Sequence, residues 1–376
     1  MTRVRGWCPS AHRPMMSGDG LLVRVKPRMG RLSGDCVSTV CDLAERFGSG
    51  LIEVTARANL QLRGVAETDH PALLADLVQA GLVEPDPDRE GARNITVTPF
   101  WMRGDLADRL YDPVAEVLAR VDLPAKMGVV LDTGPAPVLR GVSGDFRFET
   151  MDRGALLLRA EGADLGLEVA EGDAPRALAD MIGWFLDTGG VEAGRMGRHL
   201  LQRALPAEYQ KVQPHPFANR TFANRPGPGA RDGGRLFGVP FGSTDAATLR
   251  ALMAATGAAA LRVTPWRMLF LEGASPADVP GILSNPDPVM TASACPGAPL
   301  CSQATVSTRD LARDLARVFD GTLHVSGCAK ACARPSPAAL TLVGRDGRFD
   351  LVRDGRAGDT PVETGLTADD LRMREF

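Results

Sequence analysis

The chain has 376 residues, a formal net charge of −3, 44% hydrophobic and 24% charged residues, which suits a soluble globular protein of about two or three domains. Charges of both signs are interspersed, which argues against a general nucleic-acid or membrane-surface protein. No stretch reaches 18 apolar residues and residues 1–10 lack an apolar segment, so the chain reads as cytoplasmic, without a membrane span.

In chain order, the first pattern is strand, Pro/Gly turn, amphipathic helix, strand, short turn, strand over residues 21–65. Val37, Val40, Cys41, Ala44 and Phe47 form one helical stripe, and Ile52, Val54, Leu60 and Leu62 alternate as strands do. The same order returns over 236–273, with Leu249, Leu252 and Met253 on its helix. Val-Thr recurs at 263–264 after 54–55, an offset of 209 residues. The ordered correspondence favours a duplicated unit over two unrelated ones. Between the copies, 94–98, 155–159 and 166–169 read as strands, and 105–121, 174–187 and 192–203 as helices. The stretch 213–234 is rich in Pro, Gly and Asn and reads as a linker. After the second copy, Ser307 is expected to cap a helix bearing Leu311, Leu315, Val318 and Phe319. A strand at 323–325 and a hairpin, 339–343 and 349–352 turned at 344–347, complete the pattern.

Of seven cysteines, Cys8, Cys36 and Cys41 are scattered; Cys41, on the apolar helix stripe, and Cys36 read as structural, and Cys8 as a buried thiol or, less favoured, a ligand. The other four form Cys295-x5-Cys301, a gap of 26 residues, and Cys328-x3-Cys332. Both pairs lie in irregular backbone, beside Pro296, Gly297 and Pro299 and beside Gly327 and Pro335. Disulfides are disfavoured in a reducing compartment. A [4Fe–4S] cluster suits four thiolates in open loops. Zinc is the rival, although its structural knuckles prefer tighter spacing. Four unrelated buried thiols are the third reading.

The cysteine spacing resembles the ligand pattern of the sirohaem-dependent nitrite and sulfite reductase superfamily. So do Thr55-Ala-Arg57-Ala-Asn-Leu-Gln61, Arg93-Asn94 and Leu123-Pro-Ala-Lys126. Within it the chain is similar to the precorrin-3B synthase family. The residues that carry this are Gly6-Trp7-Cys8-Pro9, Arg13-Pro14-Met15-Met16-Ser17-Gly18-Asp19-Gly20-Leu21-Leu22-Val23-Arg24, and His324-Val-Ser-Gly-Cys328-Ala-Lys-Ala-Cys332-Ala-Arg334-Pro335. Ala331 departs from the commoner Gly, and Gly128 stands where reductases tend to carry a second lysine.

The resemblance implies an α+β, nitrite/sulfite reductase-like fold: duplicated ferredoxin-like half-domains paired as one domain, plus two α/β sheet domains. The implied division is a first half-repeat over 1–80, a tetrapyrrole-contacting domain over 90–212, and a linker over 213–234. A second half-repeat over 235–282 and a cluster domain over 283–376 complete it. The implied reaction is oxygen-dependent hydroxylation of precorrin-3A to the hydroxy-lactone precorrin-3B in aerobic cobalamin biosynthesis. Electrons would pass through a [4Fe–4S] cluster held by Cys295, Cys301, Cys328 and Cys332. Sirohaem-dependent nitrite or sulfite reduction is the alternative, with Cys332 matching the cysteine that bridges cluster and haem iron.

A polycarboxylate tetrapyrrole needs fixed cations, best as guanidinium forks. The candidates are Arg57, Arg63, Arg93, Lys126, Arg267 and Arg334, with Arg57 and Arg63 expected on one face of a strand. The family is also thought to use a mononuclear non-haem iron, for which His12 beside Asp19 is the first choice among five histidines. No Gly-x-Gly-x-x-Gly follows a strand, so a separate reductase or ferredoxin is expected to pass on NADH-derived electrons.

Overall fold

The structure, a computed structural model, describes residues 9–151, 154–214 and 226–376. The described chain opens with β1 (Met15–Ser17), β2 (Gly20–Val25), β3 (Arg31–Ser33), α1 (Gly34–Phe47), β4 (Leu51–Val54) and β5 (Leu60–Val65), followed by α2 (His70–Gln79) and α3 (Pro87–Ala92). The middle part holds β6 (Ile95–Val97), α4 (Leu106–Leu118), β7 (Val129–Asp132), β8 (Phe146–Thr150), β9 (Leu156–Ala160) and β10 (Leu167–Val169). Helices α5 (Ala174–Asp187), α6 (Gly190–Ala193) and α7 (Met196–His199) follow, so the helix expected over 192–203 is two short pieces interrupted at Gly194.

The second copy contains β11 (Gly229–Arg231), β12 (Gly234–Gly238), β13 (Ser243–Asp245), α8 (Ala246–Thr256), β14 (Ala260–Val263) and β15 (Met268–Glu272). Last come β16 (Ser293–Ala294), α9 (Arg309–Leu315), β17 (Leu323–Ser326), β18 (Ala338–Arg345), β19 (Arg348–Gly355), β20 (Glu363–Leu366) and α10 (Ala368–Arg372). Among the described residues no helix is long and apolar enough to cross a membrane.

The duplication is visible in backbone detail. The first sheet runs β1-β2-β5-β4-β13 and its twin β11-β12-β15-β14-β3, so each copy lends one short strand to the other's sheet. Thr55 N–H donates to Asn59 O at 2.9 Å, and Thr264 N–H to Met268 O at 3.1 Å, closing the same turn at the same offset. Met29 and Phe241, at φ 53 and 57, and Ala58 and Arg267, at φ 54 and 59, repeat the same left-handed conformations. Apolar residues of both copies, from Val23, Val40 and Ile52 to Leu249, Leu261 and Leu271, merge into one core between the sheets and α1 and α8.

The middle sheet, β10-β9-β8-β7-β6, and the last, β16-β17-β18-β19-β20, also share a plan. In each, the first three strands pair in parallel and the last two pairings are antiparallel, so that one strand, β9 or β19, runs against the other four. One helix, α4 or α9, crosses between the first two parallel strands, as a parallel connection requires. The β18–β19 hairpin turns at Asp346 and Gly347, both with positive φ.

Two expectations are corrected here. Thr308, not Ser307, occupies the N-cap position of α9, and its side chain makes no capping bond because its hydroxyl donates to Cys295 O at 2.6 Å. Arg57 and Arg63 do not share a strand: the turn closed by Thr55 and Asn59 intervenes, leaving Arg63 on β5 and Arg57 in the turn.

Candidate functional site

The two cysteine loops leave the C-terminal ends of β16 and β17, which are adjacent and parallel. That edge is where open α/β sheets place ligands. Cys295 is buried, Cys301 and Cys328 are half-buried and Cys332 is exposed; all are free thiols. The Cys295 sulfur accepts the Gly327 N–H at 3.1 Å, which ties the first loop to the start of the second. Ser326 Oγ donates to Cys328 O at 2.7 Å. The Cys332 thiol is pushed up by partial burial and then by the nearby Cys328, Cys295 and Cys301, so all four sulfurs lie within electrostatic reach of one another.

Among the described residues no group of three His, Cys, Asp or Glu side chains is placed to hold a metal ion. A single zinc draws its sulfurs to about 2.3 Å from the metal, whereas a cluster interposes iron and sulfide between its thiolates. Four free thiols within electrostatic reach of one another on two adjacent loops, with a backbone N–H already directed at one of them, form a donor set that suits the cluster.

The first copy presses directly on the Cys295–Cys301 loop. Arg63 is almost fully buried, and its Nη2 donates to Leu300 O at 3.1 Å, to Ser17 Oγ at 3.1 Å and to Asp19 Oδ1 at 2.7 Å. Its Nη1 lies 3.1 Å from Glu53 Oε2. Glu53 in turn accepts from Gln61 at 2.8 Å and from Arg309, at the start of α9, at 2.9 Å. At Gly18 a Cβ would lie 2.5 Å from Ser302 N, so only glycine lets the loop at 18 approach Cys301 this closely. Arg63 is a candidate for substrate binding by sequence; in the structure each nitrogen of its guanidinium bonds to protein.

A group of cations lies along the same copy. Arg57 Nη2 donates to Lys126 O at 2.7 Å, and the exposed Lys126 is bracketed by Asn94 Nδ2, which donates to Ala125 O and Met127 O at 3.2 Å each. Arg93 Nη2 donates to Lys26 O at 2.8 Å and Nη1 lies 3.3 Å from Glu90 and 3.5 Å from Glu84, so Arg93 is taken up by protein groups. A Cβ at Gly128 would lie 2.5 Å from Asn94 O, so the lysine of the reductases does not fit at this crossing.

Arg24, read in the sequence only as the end of the signature stretch, lies on β2, and Lys26, which went unrecognised, follows its last residue, Val25. Arg24 Nη2 donates to Gln61 Oε1 at 3.2 Å. Lys26 is buried, and that burial lowers its pKa to about 8 against the pull of Glu90. Arg24, Gln61, Glu53, Arg63 and Leu300 therefore form one hydrogen-bonded path from the cations to the cysteine loop.

The remaining candidates separate. Arg267 donates to Met290 O at 2.6 Å and Ala292 O at 2.8 Å, clamping the chain that enters β16. Arg334 follows Cys332 in the second loop and donates to Pro337 O at 3.0 Å. His12 and Asp19 do not form an iron site: His12 Nε2 lies 2.7 Å from Glu84 O, while both Asp19 oxygens accept from Arg63. Gly6, Trp7, Cys8 and His215 lie outside the described residues. Cys41 is buried with its thiol pushed up to about 11, as befits a core thiol, and Cys36 packs against the same core.

A cleft of about 1510 Å³ opens elsewhere, lined by Phe100, Trp101, Phe270 and charged residues of both signs, with no cysteine. Arg109 there pairs with Glu171 and Arg262 with Glu272, so it lacks the surplus positive charge that a polycarboxylate requires.

Residues 13–80 match the family model described as the nitrite/sulfite reductase ferredoxin-like half domain. A precorrin-3B synthase from Sinorhizobium sp is 33% identical, over 95% of this chain and 84% of that protein. A ferredoxin–nitrite reductase from Leptolyngbya laminosa is 24% identical, over 97% of this chain and 87% of its own length. The structure of Mycobacterium tuberculosis NirA superposes with a TM-score of 0.63 at 19% identity, covering 94% of this chain and 79% of that one. The α+β fold is thus that of the nitrite/sulfite reductases, duplicated half-domains included.

Proposed function

The chain belongs to the precorrin-3B synthase family, and from that premise we propose that it hydroxylates precorrin-3A to the hydroxy-lactone precorrin-3B with molecular oxygen. The substrate carbon gains one oxygen atom of dioxygen and the other leaves as water, which consumes two electrons and two protons. Cys295, Cys301, Cys328 and Cys332 would hold a [4Fe–4S] cluster, which when bound supplies single electrons at low potential. Those electrons would reach the protein from NADH through a separate reductase or ferredoxin.

The observation that carries this reading is the hydrogen-bonded path from Arg24 through Gln61, Glu53 and Arg63 to Leu300, which sets a cation-rich surface and the four-thiol site side by side. Arg57, Lys126, Arg24 and Lys26 would receive the acetate and propionate groups of the tetrapyrrole, fixing its plane by charge-assisted hydrogen bonds. Asn94 would keep the Lys126 backbone in register with Arg57, and Arg93 would hold the backbone at Lys26. Arg63 and Arg309, by holding the Cys295–Cys301 loop and α9 to the first copy, would fix the distance that electrons cross.

The test is incubation of purified protein with precorrin-3A, reductant and isotopically labelled oxygen gas. One labelled oxygen atom in the product supports the proposal. Unlabelled product, or reduction of nitrite or sulfite in its place, would overturn it.

A further inference from the structure

Each copy of the repeat holds a loop at the C-terminal edge of one sheet. In the first copy Arg63 on β5 grips the loop after β16 through Leu300 O and pairs with Glu53 on β4. At the repeat offset of 209 residues Glu53 becomes Arg262 and Arg63 becomes Glu272, so the pair returns with its charges exchanged. Arg262 Nε lies 2.6 Å from Glu272, and Nη1 donates to Pro99 O at 2.8 Å, which grips the loop after β6. The loops that leave the adjacent parallel strands β6 and β7 line the cleft of about 1510 Å³, as the loops that leave β16 and β17 carry the cysteines. The cleft is the second copy's version of the four-thiol site.

Its chemistry has changed. Gln61 recurs as Phe270 and Arg57 as Trp266. Phe100 meets Phe270 edge-on at 5.6 Å and Trp266 at 6.2 Å. Trp101 Nε1 donates to Met29 O at 3.2 Å, and the Arg262 guanidinium lies 4.3 Å from the Trp101 ring centre. These contacts fix the aromatic wall in advance of any ligand. Thr133, just past β7, and Thr150, at the end of β8, line the same cleft, and both hydroxyl oxygens are buried with no partner among the described residues. Rotation about χ1 offers either hydroxyl to the cleft as donor and acceptor. The lining carries four arginines and five carboxylates, with Arg109 paired to Glu171 and Arg262 to Glu272, so it holds no surplus cation for a phosphate or a polycarboxylate. A large preformed pocket with an aromatic wall and a few polar groups is the usual form of a small-molecule site.

We propose that this cleft is a second ligand site, which takes an uncharged planar heteroaromatic molecule. The ring system packs on the wall formed by Phe100, Trp101 and Phe270, and its polar edge meets the hydroxyls of Thr133 and Thr150. The site is separate from the thiols and from the cations of the first copy.

Lumiflavin, an uncharged isoalloxazine whose fluorescence is quenched by stacking on indole, is the probe for a titration of the full chain. Saturable quenching at one site per chain is expected. FMN, the same ring bearing a phosphate, should bind about tenfold more weakly beside the carboxylates of the lining. Ala155→Trp places a bulky ring in the cleft and should abolish lumiflavin binding. Its titration with uroporphyrin III, a stable polycarboxylate tetrapyrrole, should match that of wild type. Thr133→Val keeps the shape and removes the hydroxyl. Its affinity for lumiflavin should fall about fivefold, while its thermal midpoint equals or exceeds that of wild type because a buried unpaired hydroxyl is gone. Wild type without saturable quenching, FMN binding as tightly as lumiflavin, or unchanged affinity in either variant would overturn the inference. Joint loss of lumiflavin and uroporphyrin binding in Ala155→Trp would overturn the claim of a separate site.

Discussion

Arg63 Nη2 lies 3.1 Å from the carbonyl oxygen of Leu300, joining the first sheet to the loop between Cys295 and Cys301. The same guanidinium closes ion pairs with Asp19 and Glu53, whose side chains are only 12% and 14% exposed. Arg63→Ala would leave two nearly buried carboxylates without their cation. A loss of about 3–5 kcal/mol in unfolding free energy is expected, together with faster loss of the cluster. Denaturant unfolding and iron content measure the two. A loss under about 1 kcal/mol, with tetrapyrrole binding alone impaired, would restore Arg63 to the pocket.

Arg57 is the contrasting case. It is half-buried, and its described side-chain bond is to the Lys126 carbonyl. Arg57→Ala should weaken uroporphyrin binding about tenfold while changing stability by less than about 1 kcal/mol. Unchanged affinity in the titration would remove Arg57 from the site.

Ala331 sits between Cys328 and Cys332 at φ 55, where its Cβ crowds the following carbonyl. A left-handed L-residue costs about 1–2 kcal/mol, and part of that is offset because the methyl packs near Val343, Val352 and Ala357. Ala331→Gly should hold the cluster at least as firmly and raise stability by up to about 1 kcal/mol. A lower thermal midpoint would mean that the methyl contact outweighs the strain.

His324 on β17 is fully buried, and neither ring nitrogen has a partner among the described residues. Burial, then Arg334, lowers its pKa to about 4 from 6.5. Between those values the unfolded chain binds more protons than the folded one, so stability falls as pH drops through the window. The single group accounts for about 3 kcal/mol by pH 4. His324→Leu should therefore flatten the loss between pH 6.5 and 4, read by urea unfolding at several pH values. An identical acid profile in the variant would contradict the assignment.

Strong local patterns carried much of this in advance. The Val-Thr pairs at 54–55 and 263–264 marked the repeat because the turn chemistry recurs with them. Pro and Gly around Cys295 and Cys328 marked both cysteine segments as loops. The exchange of β3 and β13 between sheets was illegible, since three-residue strands show no alternation and their partners lie across the repeat. The role of Arg63 was illegible for a related reason. An arginine's type says that it wants carboxylates, and whether these come from Asp19 and Glu53 or from a ligand is decided by tertiary packing. Lys26 was overlooked because a lysine beside a strand end reads as exposed, and its burial is decided by tertiary packing.

A [4Fe–4S] cluster on four cysteines beside a site for a substrate tetrapyrrole is read out by the absorption spectrum of anaerobically purified protein and of its Cys328→Ser variant. Broad iron–sulfur absorption without haem bands is expected in wild type, and its disappearance in the variant. A sharp Soret band would contradict it in favour of a sirohaem reductase. A colourless wild type loaded with zinc, or a full cluster spectrum in Cys328→Ser, would contradict the ligand assignment itself.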